Sequence, residues 1–214
     1  MKKFNNNKSV IYIVITAFIF LALAPVLKAQ SIYKLLPGKD VSVKVLGSSN
    51  VHDWTMVSTG IVSQGEFKVE NDQLRSLSAF SFVVDAKSLK SEHASMDDRT
   101  YKTINADQFP KITYKLSSAV ITGQKGKYVI KATGELTISG ATQTEVLTVE
   151  AIINPDNTIT CTGSQKIKLT DFKIQPPSFM FGAMKVKDDL TIQFNLVYKN
   201  NQLLTPLFVL RPKW

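Results

Sequence analysis

The sequence predicts an all-β domain: an eight-stranded antiparallel up-and-down barrel, lipocalin-like in form, with a short helix in one long connection. Apolar and polar residues alternate with period two in eight successive segments, as they do in strands that bury one face. Turn residues such as Asn71-Asp72, Ser139-Gly140 and Asn154-Pro155-Asp156-Asn157 separate these segments and favour antiparallel hairpins. A barrel leaves no exposed sheet edge, and a two-sheet sandwich is the competing arrangement.

The composition agrees with one globular domain. The chain has 214 residues, of which 44% are hydrophobic and 20% are charged. This balance can bury a core and excludes disordered and collagen-like chains.

The eight segments follow one another along most of the chain. In the first segment, Val41, Val43 and Val45 alternate with Ser42 and Lys44. The later segments repeat this pattern, so each predicted strand has one apolar face. The predicted strands are Val41 to Gly47, Met56 to Val69, Leu74 to Ala86, Lys111 to Ala119, Lys127 to Ile138, Thr144 to Ile153, Thr158 to Leu169 and Val186 to Tyr198.

Two connections are long. Alternation stops from Ser88 to Phe109, where Ser95-Met96-Asp97-Asp98 has the Ser-x-x-acid spacing of a helix start and predicts a helix over Met96 to Ile104. The second connection, Gln175 to Lys185, is rich in proline and aromatic residues. Apolar loop residues beside a barrel indicate a mouth or a lid.

The two ends of the chain differ from the domain between them. Three lysines precede an apolar run from Val10 to Leu27, and Lys28-Ala29-Gln30 follows it. This pattern predicts a signal peptide over residues 1–29, cleaved after Ala29, and export to the periplasm or the extracellular space. A run of about 18 residues could also form an uncleaved anchor. The predicted barrel domain is then 30–199. The apolar and basic tail 200–214 could be an extra strand, a cap or an interaction segment.

Charge argues against a nucleic-acid partner. The chain has a net charge of +9, and cleavage after Ala29 lowers it to +5 because four lysines and no acidic residue are lost. The remaining lysines are scattered singly, without the basic stripe and the interleaved aromatic residues that nucleic-acid binding uses.

No catalytic, metal or cofactor site is predicted. Cys161 is the only cysteine, so no intramolecular disulfide forms, and its place in an alternating segment indicates a small buried hydrophobe. The only histidines, His52 and His93, have acidic neighbours, but their spacing matches no metal signature. A nucleophile elbow, a phosphate loop and a dinucleotide fingerprint are all missing. A metal-assisted hydrolase would require both histidines to converge on one pocket.

The inward side chains of the barrel are the candidates for ligand binding. In a barrel of about eight strands the inner face either fills itself or lines a ligand cavity, and the residues alone leave both alternatives open. The candidate ligand-binding residues are Trp54, Phe80, Phe82, Val84, Ile112, Tyr114, Phe179, Phe181, Ile192 and Phe194.

Several motifs, in their order and spacing, resemble those of the YceI-like family, in particular its branch with a His-Asp-Trp signature. The resemblance covers nearly all of Gln30 to Lys199. The residues that carry it are Ser49-Asn50-Val51-His52-Asp53-Trp54, Phe82-Val83-Val84 with Ser88-Leu89-Lys90-Ser91, Met96-Asp97 with Tyr101-Lys102, Ala106 to Tyr114, Gly134 to Gly140, and Phe172-Lys173-Ile174-Gln175-Pro176-Pro177.

The resemblance implies an eight-stranded barrel with an elongated apolar interior, which in some family members holds a polyisoprenoid or a similar amphiphile. We therefore expect an exported, non-catalytic protein that carries or stores a long-chain isoprenoid lipid. The alternative is a structural or interaction protein with a packed barrel that binds a protein partner through its loops or tail. Transient membrane contact and a homodimer stay open.

Overall fold

The computed structural model describes residues 31–38 and 40–201. Within these residues it contains twelve strands and one α-helix, α1, over Ala94–Thr103. The strands are β1 Ser31–Leu35, β2 Ser42–Ser48, β3 Asp53–Ser58, β4 Ile61–Glu70, β5 Gln73–Asp85, β6 Lys111–Gln124, β7 Lys127–Ile138, β8 Ala141–Ile153, β9 Ile159–Lys168, β10 Ser178–Phe179, β11 Met184–Lys185 and β12 Asp189–Asn200. The predicted signal peptide and most of the predicted tail lie outside the described residues.

The predicted barrel is confirmed. Strands β4 to β9 pair with their neighbours in chain order, and β9 pairs with β12. Strand β1 then pairs with both β12 and β4, which closes an eight-stranded antiparallel barrel. Since the order of the strands around the barrel follows their order along the chain, the topology is up-and-down.

Two of the eight strand positions in the barrel are each occupied by two shorter strands. Strands β1 and β2 both pair with the same edge of β12, so together they fill one position, with a break between Leu35 and Ser42. The prediction missed β1. The predicted strand from Met56 to Val69 is split into β3 and β4 at Thr59-Gly60, where the Ser58 hydroxyl accepts a hydrogen bond from the Gly60 amide.

The helix begins earlier than predicted, and a different serine organises its start. Ser95 lies inside α1, whose N-cap residue is His93. Both the amide and the hydroxyl of Ser91 donate to one carboxylate oxygen of Asp97, each over 2.7 Å. Asp97 therefore connects the first turn of the helix to the segment that precedes it. No helix in the described part of the chain is long and apolar enough to cross a bilayer.

The barrel has two unlike ends. The long connections 86–110 and 169–188 lie at one end, together with the turn 49–52, and we call this the open end. The short turns 71–72 and 125–126 lie at the opposite end, where an apolar cluster fills the interior. We call this opposite end the closed end, and residues 31 and 201, the first and last described residues, lie there.

Candidate ligand cavity

A cavity of about 370 Å³ occupies the barrel interior, and its wall is almost entirely apolar. On β12 the lining extends from Leu190 to Tyr198. Those residues span about 27 Å along the strand, or roughly 20 Å along the barrel axis once the usual strand tilt is included. The interior is therefore hollow over a length that suits an extended chain.

Nine of the ten predicted candidates line this cavity. They come from four strands of the barrel, β3, β5, β6 and β12, and from β10 in the connection after β9. Phe181 does not join them, because its side chain is fully exposed at the tip of a hairpin. The candidates that line the cavity are Trp54, Phe80, Phe82, Val84, Ile112, Tyr114, Phe179, Ile192 and Phe194.

Four glycines explain how aromatic rings can line the wall and still leave the interior open. Each of four rings lies on a glycine of the neighbouring strand, where a side chain would collide with it. At Gly134, for example, a Cβ atom would lie 2.6 Å from the Tyr114 ring. Close packing of this kind turns the rings against the sheet. The pairs are Trp54 on Gly47, Phe80 on Gly65, Tyr114 on Gly134 and Phe194 on Gly163.

The floor of the cavity is built from buried aromatic residues. The Phe67 ring packs against Tyr33 and Tyr198, with ring centroids 5.3 and 5.5 Å apart. The Tyr198 hydroxyl is paired with the Ser63 hydroxyl over 2.8 Å, so this buried polar group is satisfied. Burial raises the pKa of Tyr198, which therefore stays neutral.

The two other titratable groups of the deep wall, Cys161 and Tyr114, are also neutral at physiological pH. Burial raises the pKa of the Cys161 thiol to about 12. Burial and the nearby Glu145 carboxylate raise the pKa of Tyr114 to about 12, and the Tyr114 hydroxyl donates to the Ala132 carbonyl over 3.0 Å. The deep cavity thus presents no charge to a ligand, as an apolar chain requires.

Polar groups gather only toward the open end. Helix α1 contributes Ser95, Arg99, Thr100 and Thr103 to the lining there, and its N-cap residue His93 lies beside them. The Arg99 guanidinium lies over the Phe179 ring, 4.7 Å from its centroid, in a cation–π contact. The cavity therefore runs from an apolar floor to a polar mouth.

A network behind the mouth holds α1 in place. Asp97 is almost fully buried, and its carboxylate lies 3.4 Å from the Lys90 ammonium group. Burial alone would raise the pKa of Asp97, but the hydrogen bonds from Ser91 and Lys90 outweigh it and hold the pKa below its usual value. The Tyr101 hydroxyl donates toward the Leu89 carbonyl oxygen, 2.7 Å away. These contacts tie the helix to the segment that follows β5.

The two histidines meet one condition of the hydrolase alternative, since His52 and His93 both line the mouth. Among the described residues, however, no three His, Cys, Asp or Glu side chains come together as potential metal ligands. His52 instead has its Nδ1 atom 3.0 Å from the Asp53 carbonyl oxygen. The geometry gives a metal-assisted reaction no complete ligand set in this part of the chain.

Comparison with known proteins identifies the family. The sequence profile of the YceI-like domain matches residues 40–198. The protein belongs to the YceI-like family. No match was found among curated protein sequences.

Two solved structures share the fold of this YceI-like protein. BcnA of Burkholderia cenocepacia is similar with a TM-score of 0.60 and 21% identity, covering 73% of this chain and 94% of that one. A polyisoprenoid binding domain from Saccharophagus degradans, implicated in plant cell wall breakdown, has a TM-score of 0.58 and 10% identity, covering 80% and 99%.

The sequence prediction missed part of the site. Phe67 and Tyr198 form the cavity floor by packing against each other from strands that are distant in sequence. Alternation alone therefore did not identify them as ligand-binding residues. Arg99 and Thr100 belong to a helix whose face toward the barrel was not predicted. The strand glycines Gly134 and Gly163 were an available signal, because glycine inside a strand often marks a close approach.

Proposed function

We propose that this protein is an exported, non-catalytic binding protein that carries or stores a long-chain isoprenoid or a similar amphiphilic lipid inside its barrel. The observation that carries the proposal is the continuous apolar cavity, closed at one end and polar at the other. The polyisoprenoid binding domain from Saccharophagus degradans, whose fold is similar, supports the choice of ligand class.

The chemistry of the wall favours a hydrocarbon chain over a compact polar ligand. Each buried CH₂ group of a ligand contributes about 0.8 kcal/mol when it leaves water. The deep wall has neutral phenol and thiol groups, and both the Tyr114 and the Tyr198 hydroxyls are already hydrogen-bonded within the protein. A polar ligand would find few partners there and would lose its hydration.

The mouth suits the polar head of an amphiphile. Ser95 and Arg99 of α1, together with its N-cap residue His93, line the mouth where the apolar wall ends. A ligand whose chain fills the barrel would place its head among these donors, in contact with solvent. The residues that we propose for chain binding are the nine predicted candidates that line the cavity, together with Leu147, Val149 and the floor around Phe67.

A series of polyprenols with increasing numbers of isoprene units tests this proposal. Binding is measured by the change in tryptophan fluorescence, because Trp54 lines the cavity. We expect the affinity to rise with each added unit until the chain fills the cavity, and then to level off. An affinity that is independent of chain length, or no binding at all, would contradict a chain-binding interior.

Export is part of the same proposal and is supported by the sequence of residues 1–29. N-terminal sequencing of protein isolated from its own cells tests it. We expect a chain that begins at or near Gln30. An intact Met1 on membrane-bound protein would favour an anchor and contradict the soluble carrier.

A further inference from the structure

We propose that the hairpin formed by β10 and β11 is a membrane-docking tip, which inserts Met180 and Phe181 into an anionic lipid surface and so places the cavity mouth against the bilayer. The insertion goes beyond the proposed function and can be tested without a bound cargo. Its role in loading or releasing a lipid rests on the proposed function.

The tip exposes two large apolar side chains at its end. Phe181 has a relative exposure of 112% and Met180 of 70%. Both residues have positive φ angles, 55° and 53°, which bulky side chains seldom adopt. Val51, which is 61% exposed, belongs to the neighbouring turn at the same end. Exposed apolar side chains at one projecting end are typical of an interaction site.

Asn50 fixes the hairpin to the barrel. The Asn50 side chain donates to the Ala183 carbonyl over 2.9 Å and accepts from the Lys185 amide over 2.7 Å. The Asn50 amide also donates to the Lys185 carbonyl over 3.1 Å. The tip is thus held in position on the rim of the open end.

The same hairpin forms part of the cavity mouth. Phe179 and Met184, the residues on either side of the tip, both line the cavity. Arg99 of helix α1 covers the Phe179 ring. A bilayer in contact with Phe181 would therefore lie next to the opening through which a lipid chain enters.

The charge of the surrounding segment selects an anionic lipid surface over other partners. Residues 172–187 contain three lysines and no acidic residue. Lys173, Lys185 and Lys187 are exposed, and none of them has a carboxylate within 4 Å among the described residues. Asp188 follows the segment, but its carboxylate accepts hydrogen bonds from the Thr170 amide and hydroxyl. Apolar side chains flanked by lysines favour the interface of an anionic bilayer.

Vesicle binding tests the tip with a matched pair of double variants. Protein isolated from its own cells is mixed with vesicles of phosphatidylglycerol and phosphatidylethanolamine, or of phosphatidylcholine alone. We expect Met180→Ser with Phe181→Ser to weaken binding to the anionic vesicles about 10- to 100-fold, because two apolar side chains no longer insert. Val62→Ser with Val120→Ser removes two exposed side chains from the barrel wall and should leave binding unchanged.

A reporter at the tip separates insertion from attachment through any other segment. Phe181→Trp should show a blue-shifted emission, relative to the wild type, when anionic vesicles are added, whereas Val62→Trp should show none. The serine variant of the tip should keep its affinity for polyprenols in solution. A failure of the membrane-docking proposal can therefore be distinguished from a failure of the proposed lipid binding.

The proposal is overturned if Phe181→Trp shows no shift, or if the two serine variants bind vesicles equally. Stronger binding to phosphatidylcholine than to anionic vesicles would overturn the role of the lysines. Self-association that is lost in the tip variant, without vesicle binding, would identify a second copy of the chain as the partner and would also overturn it.

Discussion

Replacing Leu147 with tryptophan should block the cavity without changing the outside of the barrel. Leu147 lines the cavity on β8, and the adjacent Val146 points outward with 54% of its surface exposed. The pair Leu147→Trp and Val146→Trp therefore places the same new side chain on opposite faces of one strand.

The size of the effect follows from the volume that is lost. Tryptophan has about six more side-chain heavy atoms than leucine, which is close to one isoprene unit of five carbons. Excluding those carbons from the cavity would cost up to about 4 kcal/mol at about 0.8 kcal/mol for each CH₂ group, or about a thousandfold in affinity. Because the cavity measures about 370 Å³ and a bound chain can shift within it, we expect a loss of about 10²- to 10³-fold.

The assay is a fluorescence titration with a long-chain polyprenol, with circular dichroism and chemical denaturation as controls for the fold. Val146→Trp should bind like the wild type. If Leu147→Trp keeps its β spectrum and binds the polyprenol as tightly as Val146→Trp, the chain does not lie in the barrel and the reasoning fails.

Three further predictions concern the wall and the mouth. Gly163→Ala should push the Phe194 ring toward the lumen and destabilise the fold by about 1–3 kcal/mol, as chemical denaturation would measure. It should also weaken polyprenol binding in the titration. An affinity equal to that of the wild type would argue that Gly163 does not keep the cavity open. The Cys161 thiol, with a pKa of about 12, should react with an aromatic disulfide reagent only after unfolding, and rapid labelling of the native protein would contradict its burial. Since the native pKa of Asp97 is lowered, its contribution to stability is present above about pH 4 and lost as the pH falls through the native pKa. Asp97→Asn should therefore lower the unfolding free energy at pH 7 and make that free energy less dependent on pH in the acid range. If the variant loses stability with falling pH as the wild type does, Asp97 does not contribute to the acid sensitivity.

Alternation predicted the barrel because it acts locally. Residues such as Phe80, Phe82 and Val84 fall on one face of a strand whatever their partners are, and one buried face on every strand leads to a closed sheet. The breaks in alternation, from Ser88 to Phe109 and from Gln175 to Lys185, then located the two long connections. Both kinds of information are present in short stretches of sequence.

Features that depend on contacts between distant segments could not be predicted in the same way. Strand β1 is only five residues long and owes its place to pairing with β4 and β12. Ser95 was expected at the start of the helix. The helix instead begins earlier, and Ser91 donates two hydrogen bonds to Asp97 there. Phe181 was expected among the ligand-binding residues, but the left-handed backbone of the hairpin turns it outward.

Alternation could not distinguish a hollow interior from a packed one. Aromatic residues at inward positions predict a packed core as readily as a cavity. The rings leave space here because they lie on glycines such as Gly134 and Gly163 of the neighbouring strands. The structure therefore favours a cavity, and the four glycine and aromatic pairs are the physical reason.

Mass spectrometry of the lipid extracted from protein isolated from its own cell envelope tests the central claim most directly. The account predicts a long-chain isoprenoid, or a similar amphiphile, at close to one molecule per chain, and its loss from Leu147→Trp but not from Val146→Trp. A wild-type protein that yields no long-chain lipid, or a lipid retained equally by both tryptophan variants, would contradict it.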